Sequence, residues 1–549
     1  MKPPSPNILD KAIAIFSPER AARRLHARTV LALAGGYTGA SFTRPALARW
    51  NPRAADADGD ASADLATLRG RARDLARNSP LATGAINGTV TQVVGTGLSL
   101  QPSPNGSRLG LDDEAVTAWS DATLDEFKLW AESLHCDITR KQNFYGLQAL
   151  VFRSTLESGD GLAVLPDLET PWSPYRLKVQ LIEADRLCNP EFRANSGNLV
   201  DGCELDGYGA TSIFHICNQH PGSSRVRSGF KWTSVPAIGD VTGRPNVLHL
   251  MDRKRPGQTR GVPILAPVIE PLKQLQRYTD AELQAAVVSG MFAVFLKMDP
   301  DAFGDMFDQD GKKAYLNSAM QWDGTLNGAD LDGGGKAINL LPGEEAEGFN
   351  PGRPNALFDP FVQAIIRQVG VALEIPFEVL IKHFSSSYSA ARAALLDAWR
   401  FYRGRRDWLA TYFCQPIYET WLAEAVSLGR VAAPGFFADP AIRKAWCDAE
   451  WVGDGPGSID PLKEVSAAEK RIALGVSTVS RESVAYDGVD WRIKHKQRIV
   501  EVEERRAAGL EAELPGSSPP GPLDPGADPN ADPNADPGAD PSQDIPPRQ

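Results

Sequence analysis

The part of this 549-residue chain that most resembles a catalytic loop is the glycine run Gly333-Gly334-Gly335, followed by Lys336. A phosphate-binding loop holds phosphates with backbone N–H groups and a lysine. It also needs an earlier glycine for the turn and a hydroxyl residue after the lysine for Mg²⁺. Here Asp330 stands where the earlier glycine belongs, and Ala337 follows the lysine. Because both groups are missing, the sequence argues against nucleotide hydrolysis at this loop.

A second candidate is the acidic run Asp56-Ala57-Asp58-Gly59-Asp60, which begins like a calcium-binding loop. Such a loop requires a glycine at its sixth position and a bidentate carboxylate at its twelfth. Those two positions hold Ala61 and Thr67. We therefore predict an acidic surface loop and not a calcium site.

Histidines and carboxylates are further candidates for metal binding or hydrolytic catalysis. No two of the seven histidines have the helical spacing with a glutamate that a zinc protease needs, and no G-x-S-x-G nucleophile motif occurs. His215 and His249 lie in predicted strands, where we interpret them as core residues with hydrogen-bond partners. Glu183 and Asp185, at the end of a predicted strand, could bind a metal ion for nuclease chemistry. That alternative stays open.

One basic cluster falls in a predicted long helix, and several of its arginines share one face at spacings of three and four residues. We favour a solvated or subunit-facing helix surface, with contact to DNA phosphates as the alternative. The cluster consists of Arg392, Arg400, Arg403, Arg405 and Arg406.

Composition limits the remaining functions. The chain is 42% hydrophobic and 23% charged, which at about 150 residues per domain predicts about three or four units. The six cysteines form no C-x-x-C pair, which indicates neither a disulfide framework nor a zinc site and favours a reducing, cytoplasmic setting. A formal charge of −11 argues against capture of nucleic acid by the whole surface, so any DNA contact must be local.

No segment is predicted to cross or enter a membrane. The longest apolar run, Leu283 to Leu296, contains Gln284 and Gly290 and is shorter than the roughly 20 residues that a spanning helix needs. The apolar stretch 30–34, after the N-terminal arginines, is too short for a secretory signal.

Helical periodicity dominates both ends of the chain. Leu65, Leu68 and Leu75 predict a helix from Asp64 to Asn78, and Pro80 begins the next one. We predict further helices over 80–93, 264–297, 359–373 and 389–426, the last kinked at Pro416, and again after Pro461 as far as the charged segment 491–506.

Strands are predicted in the middle of the chain. Residues 176–183 alternate strictly between two faces, which is typical of a half-buried strand, and weaker strand patterns cover 162–165, 212–217 and 247–251. The order of helices, strands and helices predicts an α+β fold. The C-terminal repeat Ala-Asp-Pro-x, beginning at Ala527, cannot bury a core, and we expect residues 513–549 to be disordered.

Several blocks of the sequence resemble, in the same order, the lambda family of tailed-phage portal proteins. The resemblance covers roughly residues 35 to 510. It departs from the family's usual Asn-Tyr-Ser-Ser-Ala-Arg at residues 387–392, which lack the Asn and the second Ser. The blocks are 37–40, 71–78 with 94–98, 182–186, 255–263, 341–344, 388–395 and 460–464.

The resemblance implies a structural protein without enzymatic activity or cofactor, assembled into a closed ring, typically of twelve copies, at one capsid vertex. It implies that the ring nucleates procapsid assembly with the major capsid and scaffold proteins and docks the terminase large subunit. Double-stranded DNA would pass through the ring without sequence specificity, and head-completion and tail connector proteins would bind later. The resemblance implies a location in the virion, in the host cytoplasm during assembly, and no membrane partner. The residues alone leave a metal-dependent nuclease or other DNA-processing enzyme as the alternative.

Element order then maps the family's parts onto the chain. The resemblance implies an N-terminal arm (1–62), a wing (63–263), a stem helix (264–297), a clip with connecting segments (298–355), a second stem helix (356–374), a tunnel loop (375–388), a long kinked helix (389–430), a helical crown (431–512) and the acidic tail (513–549). The loop would turn Lys382, His383, Ser385, Ser386, Ser387 and Tyr388 toward DNA in the channel, with Arg392, Arg400 and Arg403 as a candidate basic helix face.

Overall fold

A computed structural model describes residues 8–33, 44–224, 229–290, 294–298, 344–348, 357–383, 388–455, 461–488 and 491–510. The chain divides into two compact units, Met1–Asp454 and Gly455–Gln549. Within the described ranges, no helix combines the length and the apolar character that a membrane span requires. The fold is α+β, as predicted.

The first unit begins with four helices, α1 (Ile8–Phe16), α2 (Pro18–Leu33), α3 (Ala57–Asn78) and α4 (Pro80–Val93). The predicted helices from Asp64 to Asn78 and from Pro80 to Val93 are therefore confirmed. The acidic loop predicted at 56–60 is wrong, because these residues start α3. Asp56 caps the helix by accepting a hydrogen bond from the Gly59 N–H at 2.8 Å. Carboxylates suit this position because the first N–H groups of a helix lack partners and carry partial positive charge.

Three further helices and a strand lead into the central part of the unit. Strand β1 (Ser99–Pro102) precedes α5 (Gly106–Leu109), α6 (Asp113–Ala131) and α7 (Phe144–Ser158).

The strands of the middle region form two small antiparallel sheets. In the first, β2 (Asp160–Val164) lies between β3 (Gln180–Ile182) and β8 (Val247–Met251). The second has the order β4 (Leu199–Val200), β5 (Cys203–Leu205), β6 (Thr211–Cys217) and β7 (Trp232–Pro236). The strands predicted at 162–165, 212–217 and 247–251 are confirmed to within two residues.

The strictly alternating segment 176–183 is shorter as a strand than predicted, because only Gln180–Ile182 belongs to β3. Its alternation is misleading, since Lys178 is as buried as its apolar neighbours. The Lys178 ammonium donates to the Tyr175 carbonyl and to the Ser173 hydroxyl, both at 2.8 Å. These two local hydrogen bonds allow the charged ammonium group of Lys178 to be buried inside the fold.

The helix predicted over 264–297 ends earlier. Helix α8 covers Ile269–Gly290, and Val294–Met298 forms strand β9, antiparallel to β10 (Glu344–Gly348). Val294 and Phe295 are residue types that favour strands. Their partner strand lies far along the chain, so helical periodicity alone could not reveal the pairing.

Helix α9 (Phe358–Leu373) confirms the helix predicted at 359–373. The predicted loop 375–388 is partly helical, because α10 (Phe377–Ile381) lies within it. Helix α11 (Tyr388–Leu409) continues through a π-helical segment, Ala410–Cys414, into α12 (Gln415–Ser427). The irregularity predicted at Pro416 thus takes the form of a π turn, in which the Gln415 N–H bonds the Ala410 carbonyl.

Aromatic side chains form the centre of the first unit. Phe127 and Trp130 of α6 and Phe144 of α7 pack against Tyr418 and Trp421 of α12, and all five are essentially inaccessible to solvent. The ring centroids of Phe127 and Trp421 are 5.0 Å apart and nearly perpendicular, an arrangement that aromatic quadrupoles favour. Helix α13 (Pro440–Trp446) and strand β11 (Ala449–Val452), which pairs with β1, complete the unit.

The second unit contains α14 (Pro461–Ala473), α15 (Val479–Asp487) and α16 (Trp491–Ala507). These confirm the helices predicted after Pro461. The Arg471 guanidinium and the Glu482 carboxylate form a bidentate ion pair at 2.9 and 2.7 Å. The predicted tail 513–549 and the glycine run 333–335 lie outside the described residues.

Candidate nucleic-acid interface

Lys382 and His383 directly follow α10, and both side chains are exposed. Lys382 has a left-handed backbone (φ 54°), and its N–H closes the helix on the Glu378 carbonyl. The His383 N–H also donates to that carbonyl, at 3.1 Å. The two side chains are therefore held at a defined helix end. Ser385, Ser386 and Ser387 lie outside the described residues, as does the side chain of Tyr388, the first residue of α11.

The helix end that carries these cations is anchored by a tight turn between α9 and α10. Glu374 ends α9 with φ 57°, and the Ile375 N–H returns to the Gly370 carbonyl at 2.9 Å. A Cβ at Gly370 would lie 2.6 Å from the Ile375 carbonyl oxygen, so only glycine permits this approach. Leu380 is buried, and α10 packs on α4, α9 and α11.

The basic cluster of α11 separates into two groups. Arg400 and Arg403 are exposed and Arg392 is half-buried, so these three form a cationic surface near the start of the helix. Arg405 instead bonds Asp252 at 3.0 Å. The predicted solvent-facing arrangement therefore applies only to the first group.

Arg406 clamps α11 to the end of α4. Its guanidinium donates to the carbonyls of Val93 and Gln92 at 3.0 and 3.1 Å, and it lies 5.0 Å from the Trp399 ring centroid. A cation suits this place because the last carbonyls of a helix lack partners. Burial lowers the pKa of Arg406 from its usual value, while nearby Asp454 and Asp407 oppose the shift.

A buried ion cluster in the same unit centres on Asp160, at the start of β2. Its carboxylate accepts from Arg69 at 2.5 Å, from Arg260 at 2.7 Å and from the Gly261 N–H at 2.6 Å. Burial alone would raise the pKa of Asp160, but the charges of Arg260, His249 and Arg69 hold it far below its usual value. Burial, together with the charge of Arg260, lowers the pKa of Arg69 to about 10, so both arginines stay charged at neutral pH.

Arg260 also ties three loops to this cluster. Its guanidinium donates to the carbonyls of Ala184 and Leu187 at 2.7 Å and of Asp201 at 2.6 Å. Each of the three guanidinium nitrogens therefore has at least one acceptor, which is the condition under which a buried charge is tolerated.

Asp185, one of the two candidate metal ligands, takes part in a neighbouring ion pair. It accepts from Arg73 and lies 3.6 Å from the His220 Nε2 atom. Burial would raise the pKa of Asp185, but its bond to Arg73 and that arginine's charge lower it. Throughout the described ranges, no group of three or more His, Cys, Asp and Glu side chains is arranged to hold a metal ion. Glu183 and Asp185 thus give the nuclease alternative no support.

The acidic run at the start of α3 fixes the segment that carries Arg260. Asp58 accepts from the N–H and the hydroxyl of Thr259 at 2.8 and 2.7 Å, and Asp60 pairs with Arg255 at 2.5 Å. These carboxylates were not identified from the sequence as structural. The sequence signal that could have identified Asp58 and Asp60 was their spacing within one turn of a helix.

Of the two strand histidines, His215 has a hydrogen-bonding neighbour, as interpreted from the sequence, whereas the buried His249 Nε2 atom has none among the described residues, against that interpretation. The ring of His215 lies 3.0 Å from the Ser234 hydroxyl and 3.5 Å from the Glu204 carboxylate. The His249 Nε2 atom lies 3.2 Å from Asp160, a distance suited to ionic attraction, although it is not aligned as a hydrogen bond.

Comparison with known proteins shows matches along most of the chain. Residues 43–406 match the family described as phage portal protein, lambda family. Portal protein B of Escherichia phage lambda is 28% identical over 492 residues, covering 87% of this chain and 91% of that protein. The portal protein of Escherichia phage N15 is 27% identical over 500 residues, with the same coverage. Among solved structures, a chain of the neck of a native GTA particle is 12% identical with a TM-score of 0.40, covering 84% of this chain and 99% of that chain.

Proposed function

The chain belongs to the lambda family of phage portal proteins, and we propose that it forms the ring through which double-stranded DNA enters and leaves one capsid vertex. The family is structural and not enzymatic, and its members are ring-forming components of the capsid. The protein is a portal protein of a tailed phage and a component of the virion. The observation that carries the proposal is the family match over residues 43–406, which includes both the buried ion cluster and the segment around Lys382.

The ring contains about twelve copies of the chain, as is typical of the family. A ring forms when one surface of each copy binds a different surface of the next and the rotation closes. Long helices suit such packing, and α8, α9 and α11 are 22, 16 and 22 residues long. In the family's terms α8 and α9 form the stem and α14 to α16 belong to the crown.

Lys382, His383 and Arg403 are the described residues that we assign to the channel side, together with residues 385–388. The exposure of the Lys382, His383 and Arg403 side chains supports this role. A conduit must contact phosphates without holding them, because each neutralised phosphate adds salt-dependent affinity. A few cations per subunit on a chain with a formal charge of −11 meet that requirement.

The remaining partners follow from the portal role. During assembly in the host cytoplasm, the ring nucleates the procapsid with the major capsid and scaffold proteins, and the terminase large subunit docks on it. After packaging, the head-completion and tail connector proteins take the place of the terminase.

Negative-stain electron microscopy of the purified full-length protein, with native mass determination, tests the proposal. We expect closed rings with a central hole and a mass of about twelve subunits. A monomer or dimer that forms no ring, even at high concentration and with scaffold protein present, would overturn the proposal. A nuclease assay with Mg²⁺ or Mn²⁺ is the complementary measurement, and we expect no cleavage of DNA.

A further inference from the structure

A cleft of about 850 Å³ opens between α9, α10 and α11 in the first unit. On α9 its lining residues recur at intervals of three and four, and the residues of α11 form a similar row, so each helix contributes one face. Ile375 and Phe377 lie between the two helices. The two faces carry charged side chains, the exposed Val371 and the half-buried Phe401; the charged residues are Arg367, Glu374, Asp397 and Arg400.

The cleft combines apolar surface with charges that lack partners in their own chain. Val371 is 82% exposed, which leaves a large apolar side chain in water. Among the described residues, Glu374, Asp397 and Arg400 form no ion pair or side-chain hydrogen bond, although two of them are anionic and one is cationic. Arg367 bonds only Gln363, at 3.0 Å, and lies over the Phe377 ring.

A second unpartnered surface lies on α8. Asp280, Leu283 and Val287 follow one another at helical intervals of three and four residues and share one face. Leu283 is 65% exposed and Val287 is 54% exposed. Arg277, one turn earlier, and Asp280 make no ion pair with any residue that the structure describes. This stripe therefore carries two apolar side chains next to an anion and a cation.

The stripe and the cleft lie on opposite sides of the α8–α9 pair. Tyr278 of α8 packs on Phe358 and Phe361 of α9, with ring centroids 5.5 and 5.1 Å apart. At about 100° per residue, the Asp280–Leu283–Val287 stripe points away from Tyr278, and the cleft face of α9 points away from Phe358 and Phe361. Two complementary surfaces on opposite sides of one element produce head-to-tail association.

We propose that the α8 stripe of one copy binds in the α9–α11 cleft of the next copy, with Asp280 facing Arg400 and Arg367, and Arg277 facing Glu374 and Asp397. The inference rests on the proposed ring and names the surface that closes it. Leu283 and Val287 would cover the exposed Val371 and the remaining accessible part of Phe401, so the apolar surfaces of both copies leave water together. Arg277 and Asp280 lie three residues apart at one end of the stripe, and their opposite charges set the register of the two helices.

Charge reversal tests the pairing directly. Asp280→Arg and Arg400→Glu each place like charges opposite each other, and we expect each to raise the subunit concentration at half-assembly by at least about tenfold. The double variant Asp280→Arg/Arg400→Glu restores opposite charges and is expected to assemble within about threefold of the wild type. Ring fraction is measured by native mass spectrometry and negative-stain microscopy across a concentration series.

Two matched controls carry the same change of charge outside the proposed contact. Glu270→Arg lies on α8, ten residues before Asp280. Arg71→Glu changes an exposed arginine of α3 that does not line the cleft. Both are expected to assemble like the wild type, and circular dichroism checks that all five variants remain folded.

Three outcomes would overturn the pairing. Either single variant could assemble like the wild type, the folded double variant could fail to recover, or Arg400→Glu could impair DNA passage while leaving the rings intact. The last result would assign the cleft to a different occupant. If the wild type itself forms no ring, the proposed function fails, whereas rings that are insensitive to these reversals refute only this interface.

Discussion

Replacing Asp160 by asparagine removes one negative charge from the buried ion cluster while keeping the shape of the side chain. The Asp160 side chain is 1% exposed, and those of Arg69 and Arg260 are 5% and 3% exposed. The substitution therefore leaves two buried guanidinium groups without their counter-charge. Breaking a buried ion pair from one side typically costs about 3 to 5 kcal/mol. Since domains are stable by only about 5 to 15 kcal/mol, we expect a loss of about a fifth or more of the free energy of unfolding.

Asp167→Asn is the matched control, because it makes the same chemical change in an exposed ion pair. Asp167 lies 2.6 Å from Arg176, and the two side chains are 49% and 52% exposed. Exposed pairs contribute about 0 to 1 kcal/mol. The assay is urea unfolding of the unassembled subunit at neutral pH, followed by circular dichroism. If Asp160→Asn came within about 1 kcal/mol of the wild type, as expected of the control, the reasoning about the buried cluster would be refuted.

The difference in stability between the wild type and Asp160→Asn also depends on pH. Because the folded-state pKa of Asp160 is depressed below its ordinary value of 3.8, its ionic stabilisation is fully present above that value and declines as the pH falls further. The difference in stability between the wild type and Asp160→Asn should therefore be constant from about pH 5 to 8 and shrink below about pH 4. A difference that grew on acidification would have the wrong sign.

Packing and exposure give three more predictions. Arg406→Met should lower the free energy of unfolding by about 2 to 3 kcal/mol in urea, because the buried Val93 carbonyl and the partly buried Gln92 carbonyl at the end of α4 lose their donor; an unchanged midpoint would contradict these contacts. Gly159→Ala should abolish soluble expression, since a Cβ there would lie 2.3 Å from a backbone carbonyl oxygen, whereas Gly110→Ala, also at positive φ but with open space, should cost only about 1 kcal/mol. Lys382→Ala/His383→Ala should leave the rings intact but alter the length, rate or retention of packaged DNA, and no change in any of the three would remove these residues from the channel.

Much of the helical framework was predictable from local pattern. The boundaries at Asn78, Pro80 and Val93 follow from capping residues, proline and glycine, which act through the backbone of their own neighbourhood. The irregularity near Pro416 is of the same kind, since a proline lacks the N–H that a regular helix needs at that point. Family resemblance likewise rests on short blocks that can be recognised one at a time.

Pairings between distant segments were not predictable. Helical periodicity continued through Val294, yet this residue belongs to a strand whose partner lies at Glu344–Gly348. The alternation around Lys178 indicated an exposed face, but local carbonyl and hydroxyl acceptors allow the ammonium to be buried. At Val294 a distant partner strand outweighs the local preference for helix, and at Lys178 nearby acceptors outweigh the preference of a charged side chain for water.

The sequence by itself determined the α+β class, most helix boundaries and the membership of a portal family, because each depends on residues that are neighbours along the chain. Only the tertiary structure decided which residues of these separate sequence blocks contact one another. Arg69 and Arg73 from one region, Asp185 from another and Arg260 from a third meet around Asp160 and its neighbours. The physical reason is that a buried charge is stable only beside its counter-charge. The identity of that partner is set by the packing of distant elements and is not encoded in any local spacing.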